Sequence, residues 1–83
     1  MVGKVQISKE LKEKNFENKL YFKEYNNGVV MIETSRNDFS SDKHLCQAIS
    51  DIIEENSVLE LVTCSVLNSS LGLDGAILVF KDK

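Results

Sequence analysis

The side chains with the most reactive chemistry in this sequence are His44 and Cys46, two positions apart in a predicted helix. An imidazole beside a thiol can form a nucleophile with its general base, or supply two ligands to a metal ion. Residues i and i+2 of a helix point about 200° apart, so these two groups cannot meet. We therefore predict a partly exposed histidine and a buried cysteine with no catalytic role.

The remaining polar clusters also lack the spacing that catalysis requires. Cys46 and Cys64 have neither metal-ligand spacing nor the density of a disulfide framework, so both are predicted to be small core residues. Glu54 and Glu55 are expected to form a solvated helix end. Gly72 and Gly75 match no phosphate-binding fingerprint, and no lysine follows them. We expect a protein that is not an enzyme and binds no cofactor or metal.

Composition narrows the possible partners. The chain has 83 residues and a net charge of −3, which suits one small domain. No cluster of lysine and arginine indicates nucleic-acid binding. No apolar run approaches the length of a membrane span or a signal peptide. These features predict a soluble, cytoplasmic protein whose partner is another protein.

The elements that position these residues begin with a hairpin. Alternation over residues 20–23 and the run Val29-Val30-Met31-Ile32 predict two strands joined through Asn27 and Gly28. A three-residue loop with Gly28 left-handed pairs Phe22 with Ile32 and Leu20 with Thr34, whereas a two-residue loop pairs Phe22 with Glu33. We favour the first register because it separates apolar from polar side chains better.

A helix is predicted over residues 40–56. One apolar stripe defines it, formed by Leu45, Ala48, Ile49, Ile52 and Ile53. Asp38, Ser40 or Ser41 can cap its first turn.

Residues 58–66 are almost continuously apolar and β-branched, which predicts a central strand covered on both faces. Residues 73–81 could form a strand or a buried helix, and β-branching favours a strand. Residues 1–18 resemble an appendage with a short helix capped by Ser8, and residues 19–83 form the domain. The predicted fold class is α/β, with α+β as the alternative: a ββαβ core followed by this ambiguous segment.

Asn68, Ser69 and Ser70 follow the predicted strand directly. A loop at the end of a strand is where such folds often place binding groups, although a simple turn is equally consistent with these residues.

Taken together, these segments resemble a STAS domain, the fold of bacterial anti-sigma factor antagonists and of several transporter-associated regulatory modules. The resemblance spans residues 20 to about 80. It rests on the run from Gly28 to Glu33, the helix start Asp38-Phe39-Ser40-Ser41, and Asn68-Ser69-Ser70 at the position of Asp-Ser-Ser. Asn68 replaces the family's acidic residue, Leu71 stands where glycine is expected, and the chain ends where the family continues with another strand and helix.

The resemblance implies that Ser69 or Ser70 is phosphorylated by a partner resembling an anti-sigma factor kinase. A phosphate would add about −1.5 to −2 charge and oppose binding to a flat partner surface. That surface would include Asn68 and Leu71, framed by three helix residues, Lys43, Gln47 and Asp51. The alternative is that both serines only cap a helix or form a turn.

Two further functions remain open. The chain could be a small ββαββ protein that forms homodimers through an exposed sheet edge or face. It could also be a STAS-like accessory subunit of a transporter.

Overall fold

The computed structural model describes residues 5–17, 19–34, 41–69 and 72–83. The elements follow in the order α1 (Lys9–Glu17), β1 (Leu20–Glu24), β2 (Val29–Thr34), α2 (Ser41–Glu55), β3 (Leu59–Ser69) and β4 (Gly72–Asp82). The four strands form one antiparallel sheet in the order β1-β2-β4-β3. The fold is therefore α+β, which was the alternative class.

The first hairpin has the predicted register. Phe22 pairs with Ile32 and Leu20 pairs with Thr34. Asn27 and Gly28 both have positive φ, at 70° and 77°, and the Tyr25 amide donates to the Val29 carbonyl across the loop. Asparagine and glycine tolerate this left-handed backbone best, and this explains why the turn forms here.

The helix predicted over residues 40–56 is confirmed as α2. Its buried residues Leu45, Ala48 and Ile52 pack on the sheet, whose facing side chains include Val30, Ile32 and Leu78. Asp38 and Ser40, two of the proposed caps, lie outside the described residues. The segment 73–81 is a strand, as β-branching suggested, because β4 runs from Gly72 to Asp82.

The strand predicted to be central lies at an edge of the sheet, so that prediction is wrong. β3 pairs only with β4 among the described strands, and β4 occupies the place next to β2. β3 and β4 pair from Leu59–Asp82 to Ser69–Gly72, and β4 supplies more buried side chains: Ala76, Leu78 and Phe80. A continuous apolar run does not itself say which strand of a hairpin is central.

The amino-terminal segment, predicted as an appendage, packs into the same core through Val5 and Leu11. The predicted Ser8 cap is present, with the Leu11 amide donating to Ser8 Oγ at 3.1 Å. Glu55, expected to be simply solvated, accepts hydrogen bonds from the Ser8 amide and hydroxyl at 2.9 Å each. Lys12 Nζ also lies 2.8 Å from Glu24 Oε1 on β1. These contacts fix α1 beside α2 on one side of the sheet.

Candidate functional site

The most distinctive surface is the side of the sheet opposite the helices, which we call the open face. Directly opposed residues of antiparallel strands point to the same side. The pairs Val30–Leu78 and Ile32–Ala76 point into the helix-covered core. The alternate pairs, Met31–Ile77 and Val29–Val79, therefore point to the open face, which no described helix or strand covers.

The centre of the open face is apolar. Val29, Met31, Ile77 and Val79 form a square on the two central strands, and each is half-buried by its neighbours alone. Leu67, opposite Gly75 on β3, extends this patch and is also half-buried. β2 and β4 thus carry apolar side chains on both faces, although the described fold covers only one.

Polar and aromatic groups surround this centre. Tyr21 on β1 and Tyr25, the residue directly after β1, are each 47% exposed. Lys23 Nζ lies 3.0 Å from Glu33 Oε1, and Lys81 Nζ lies 3.5 Å from Glu60 Oε2. The hydrogen bond from Lys23 to Glu33, together with the charge of Glu33, raises the pKa of Lys23. An apolar centre with a rim of tyrosines and ion pairs is the usual anatomy of a protein-binding surface.

The three predicted contact residues of α2 lie along the side of the helix away from the core. Lys43 and Gln47 are exposed, and Asp51 is half-buried. Gln47 Nε2 donates to Asp51 Oδ1 at 3.0 Å, and Lys14 Nζ approaches Asp51 Oδ2 at 3.5 Å. Asp51 therefore has a structural role in holding α1 against α2.

The serine loop lies at the far end of the β3–β4 hairpin. Asn68 is exposed and pairs with Leu73, and Ser69 pairs with Gly72. Ser70 and Leu71 lie outside the described residues. The last pair between β2 and β4 is Glu33–Gly75, so this part of the hairpin continues past β2.

The hairpin end and α2 form two separate parts of the predicted contact surface. α2 packs on β4, β1 and β2, and β3, the strand that carries Asn68, is not among its main contacts. Asn68 lies near the far end of β3, whereas Gln47 and Asp51 lie on α2.

Both cysteines are exposed, which corrects the prediction that they are core residues. Cys64 pairs with Leu78 and so faces the helix side of the sheet, but it lies at the uncovered edge. Partial burial raises the pKa of the Cys64 thiol, and the neighbouring Cys46 thiol raises it further.

His44 is half-buried, as predicted. Within the described ranges, no group of His, Cys, Asp and Glu side chains could hold a metal ion.

Comparisons with known proteins found no significant match. No protein-family model matches the chain, and no curated protein or solved structure shows significant similarity to it. Among the residues described, no helix has the length and apolar character needed to cross a bilayer. The resemblance to STAS domains remains a prediction from sequence.

Sequence reasoning did not single out the open face, although a signal for it was available. The runs Val29–Ile32 and Ala76–Phe80 are apolar at every position, and a strand with one solvated face normally alternates. Each run therefore indicated a strand that needs cover on both sides.

Proposed function

We propose that this chain is a non-enzymatic protein-binding module that contacts its partner through the open face. The main observation that supports this proposal is the apolar square on the uncovered side of both central strands, formed by Val29, Met31, Ile77 and Val79. A partner seated there would remove these side chains from water, which stabilises the complex by about 25 cal/mol per Å² of apolar surface buried.

Size supports this assignment. The molecule measures 37 × 26 × 17 Å between its outermost Cα atoms, and the short dimension is that expected for one helix layer stacked on one sheet. Its broad side can therefore supply the approximately 800 Å² per partner of a standard protein–protein interface. The tyrosines at the rim add the residue type most enriched in such interfaces.

The test uses the purified protein as bait in an extract of its source cells, with bound proteins identified by mass spectrometry. Ile77→Lys places a charge in the centre of the open face and should remove the partners that the unchanged protein captures. Ile77→Thr keeps a β-branched side chain and serves as the milder variant if the lysine unfolds the domain. Ser57→Lys, in the exposed turn after α2, is the control for added charge.

A second comparison in the same experiment uses Gln47→Lys on the outer side of α2. If partners are lost with Gln47→Lys and retained with both Ile77 variants, α2 is the binding surface and the open face is not. Circular dichroism and thermal unfolding establish that every bait is folded.

We further propose that phosphorylation of Ser69 or Ser70 regulates partner binding, with a kinase resembling an anti-sigma factor as the modifying partner. Support comes from the sequence resemblance and from the position of Ser69 in the part of the hairpin that continues past β2. A negative charge there should weaken binding in Ser69→Asp or Ser70→Asp, with Ser57→Asp as the control. Retention of every partner by both aspartate variants would rule out the switch.

A further inference from the structure

The outer edge of β3 differs from the other edge of the sheet. β1 has five residues, and two of them, Lys23 and Glu24, are charged. β3 has eleven residues with a single charge, Glu60, and it contains neither lysine nor proline. Natural proteins usually protect long edge strands with these residues, because unpaired backbone amides and carbonyls attract other strands.

Both sides of β3 are also exposed along its middle. Leu59 and Leu61 pack against the core, but farther along the same side Cys64 is exposed and Val66 is 43% exposed. α2 packs mainly over β4, β2 and β1, so the described helices leave this part of β3 largely uncovered. An apolar, β-branched strand therefore occupies an edge without the cover that its composition favours.

We infer that β3 pairs with β3 of a second copy of this chain, giving a two-fold dimer with a continuous eight-stranded sheet. The inference goes beyond the proposed function, because it concerns the edge of the sheet and not the open face. It rests on the exposed, uncharged and unprotected edge.

The geometry of β3 selects a register for this pairing. Its pairing with β4 is irregular between Leu61 and Thr63 and again between Leu67 and Asn68, so residues 63–67 form the regular stretch. A two-fold axis must relate the stretch to itself, and its centre is Ser65. Antiparallel pairing about Ser65 places Cys64 of one copy opposite Val66 of the other. The thiol of one copy and the valine side chain of the other then cover each other on the helix-covered side of the sheet.

The lack of charge along this stretch of β3 favours a second copy of the chain as the strand that pairs with it. The paired stretch contains no ionisable side chain except the neutral Cys64 thiol, so two identical stretches meet without repulsion. Glu60 lies five positions from the centre, and the two copies of Glu60 are therefore about 34 Å apart along the strands, beyond the screening length at physiological salt.

The oligomeric state is measured by analytical ultracentrifugation of the full chain over a wide concentration range. We expect a monomer–dimer equilibrium whose dissociation constant rises at least tenfold in Ser65→Lys, because two lysines would face each other across the axis. Ser65→Glu should have the same effect, and an equimolar mixture of the two variants should restore the dimer. Ser57→Lys is the charge control and should dimerise normally.

Cross-linking provides an independent measurement. In Cys46→Ser, the two Cys64 thiols of a dimer centred on Ser65 are diagonal neighbours, about 7–8 Å apart at the Cα atoms. A short bis-maleimide, which adds one thiol to each of its double bonds, should therefore link two chains through Cys64. Ser65→Lys should abolish this cross-linked product, while the Cys64 thiol of each chain still reacts with a monofunctional maleimide.

Two outcomes would overturn the inference: a monomer at every concentration, or a dimer unaffected by Ser65→Lys. If that dimer were lost with Ile77→Thr, self-association would lie on the open face. Failure of the partner-capture experiment would leave these measurements unaffected, so the two proposals can fail separately.

Discussion

Asn56 is bound to the backbone of Gln6 by two reciprocal hydrogen bonds, although fifty positions separate them in sequence. The Gln6 amide donates to Asn56 Oδ1 at 2.9 Å, and Asn56 Nδ2 donates to the Gln6 carbonyl at 2.8 Å. Nδ2 also donates to the Ile52 carbonyl at 2.8 Å, which accepts the Asn56 backbone amide as well, at 3.1 Å. One side chain thus ends α2 and attaches the amino-terminal segment, while only 2% exposed.

Replacing this side chain should destabilise the protein clearly. Asn56→Ala leaves the amide and the carbonyl of Gln6 without their partner. The Ile52 carbonyl loses one of its two donors and keeps the backbone amide of residue 56. We expect a loss of about 1–3 kcal/mol in the free energy of unfolding. Asn56→Asp keeps the shape but loses both Nδ2 donors and places a carboxylate beside two carbonyl oxygens, so it should be at least as damaging. Urea denaturation measures the change, with Ser57→Ala as the exposed control. A loss below 0.5 kcal/mol would mean that water replaces the side chain.

Gly75 should not tolerate any side chain. A Cβ atom at this position would overlap the carbonyl oxygen of Ile32, because β2 and β4 approach closely there. We expect Gly75→Ala to lower the free energy of unfolding by about 1–3 kcal/mol or more, since backbone atoms must move. Gly28→Ala is the comparison: it introduces only left-handed backbone strain, about 1–2 kcal/mol, at φ 77°. Equal stability of Gly75→Ala and the unchanged protein would contradict the close approach.

Cys64 should ionise at higher pH than an ordinary thiol. Partial burial, the larger cause, and the Cys46 thiol both raise its pKa above the usual 9.0. The alkylation rate of Cys64, followed by peptide mass spectrometry, should therefore reach half of its maximum above this value. In Cys46→Ser, the pH at which Cys64 alkylation is half-maximal should fall only part of the way to the usual thiol value, because the partial burial of Cys64 remains. A midpoint that does not move would show that the two thiols do not interact.

The same pKa shift affects stability in a defined direction. The folded thiol stays protonated at a pH where the unfolded thiol has ionised, so the unfolded state binds fewer protons. Stability should therefore fall as the pH rises through about 9. Cys64→Ser, which does not titrate in this range, should reduce that fall.

Short-range patterns in the amino-acid sequence were enough to predict the main helix and the first hairpin of this protein. The stripe of Leu45, Ala48 and Ile52 requires a helix of the observed length, because only a 3.6-residue period places these side chains on one side. Asn27 and Gly28 fixed the first turn, and the apolar alternation then selected the Phe22–Ile32 register. Ser8 was recognisable as a helix cap for the same reason: capping depends on neighbouring residues alone.

Packing between distant elements sets which strand is central, and therefore where the candidate surfaces lie. β3 and β4 are both apolar enough for the interior, and only their packing against β2 and α2 places β4 inside and β3 at the edge. That choice exposes Cys64 and Val66 and leaves Met31 and Ile77 on a side that no described element covers. The Asn56–Gln6 bond likewise depends on the folded path of the chain, since hydrogen bonds between distant residues leave no periodic signal in the sequence.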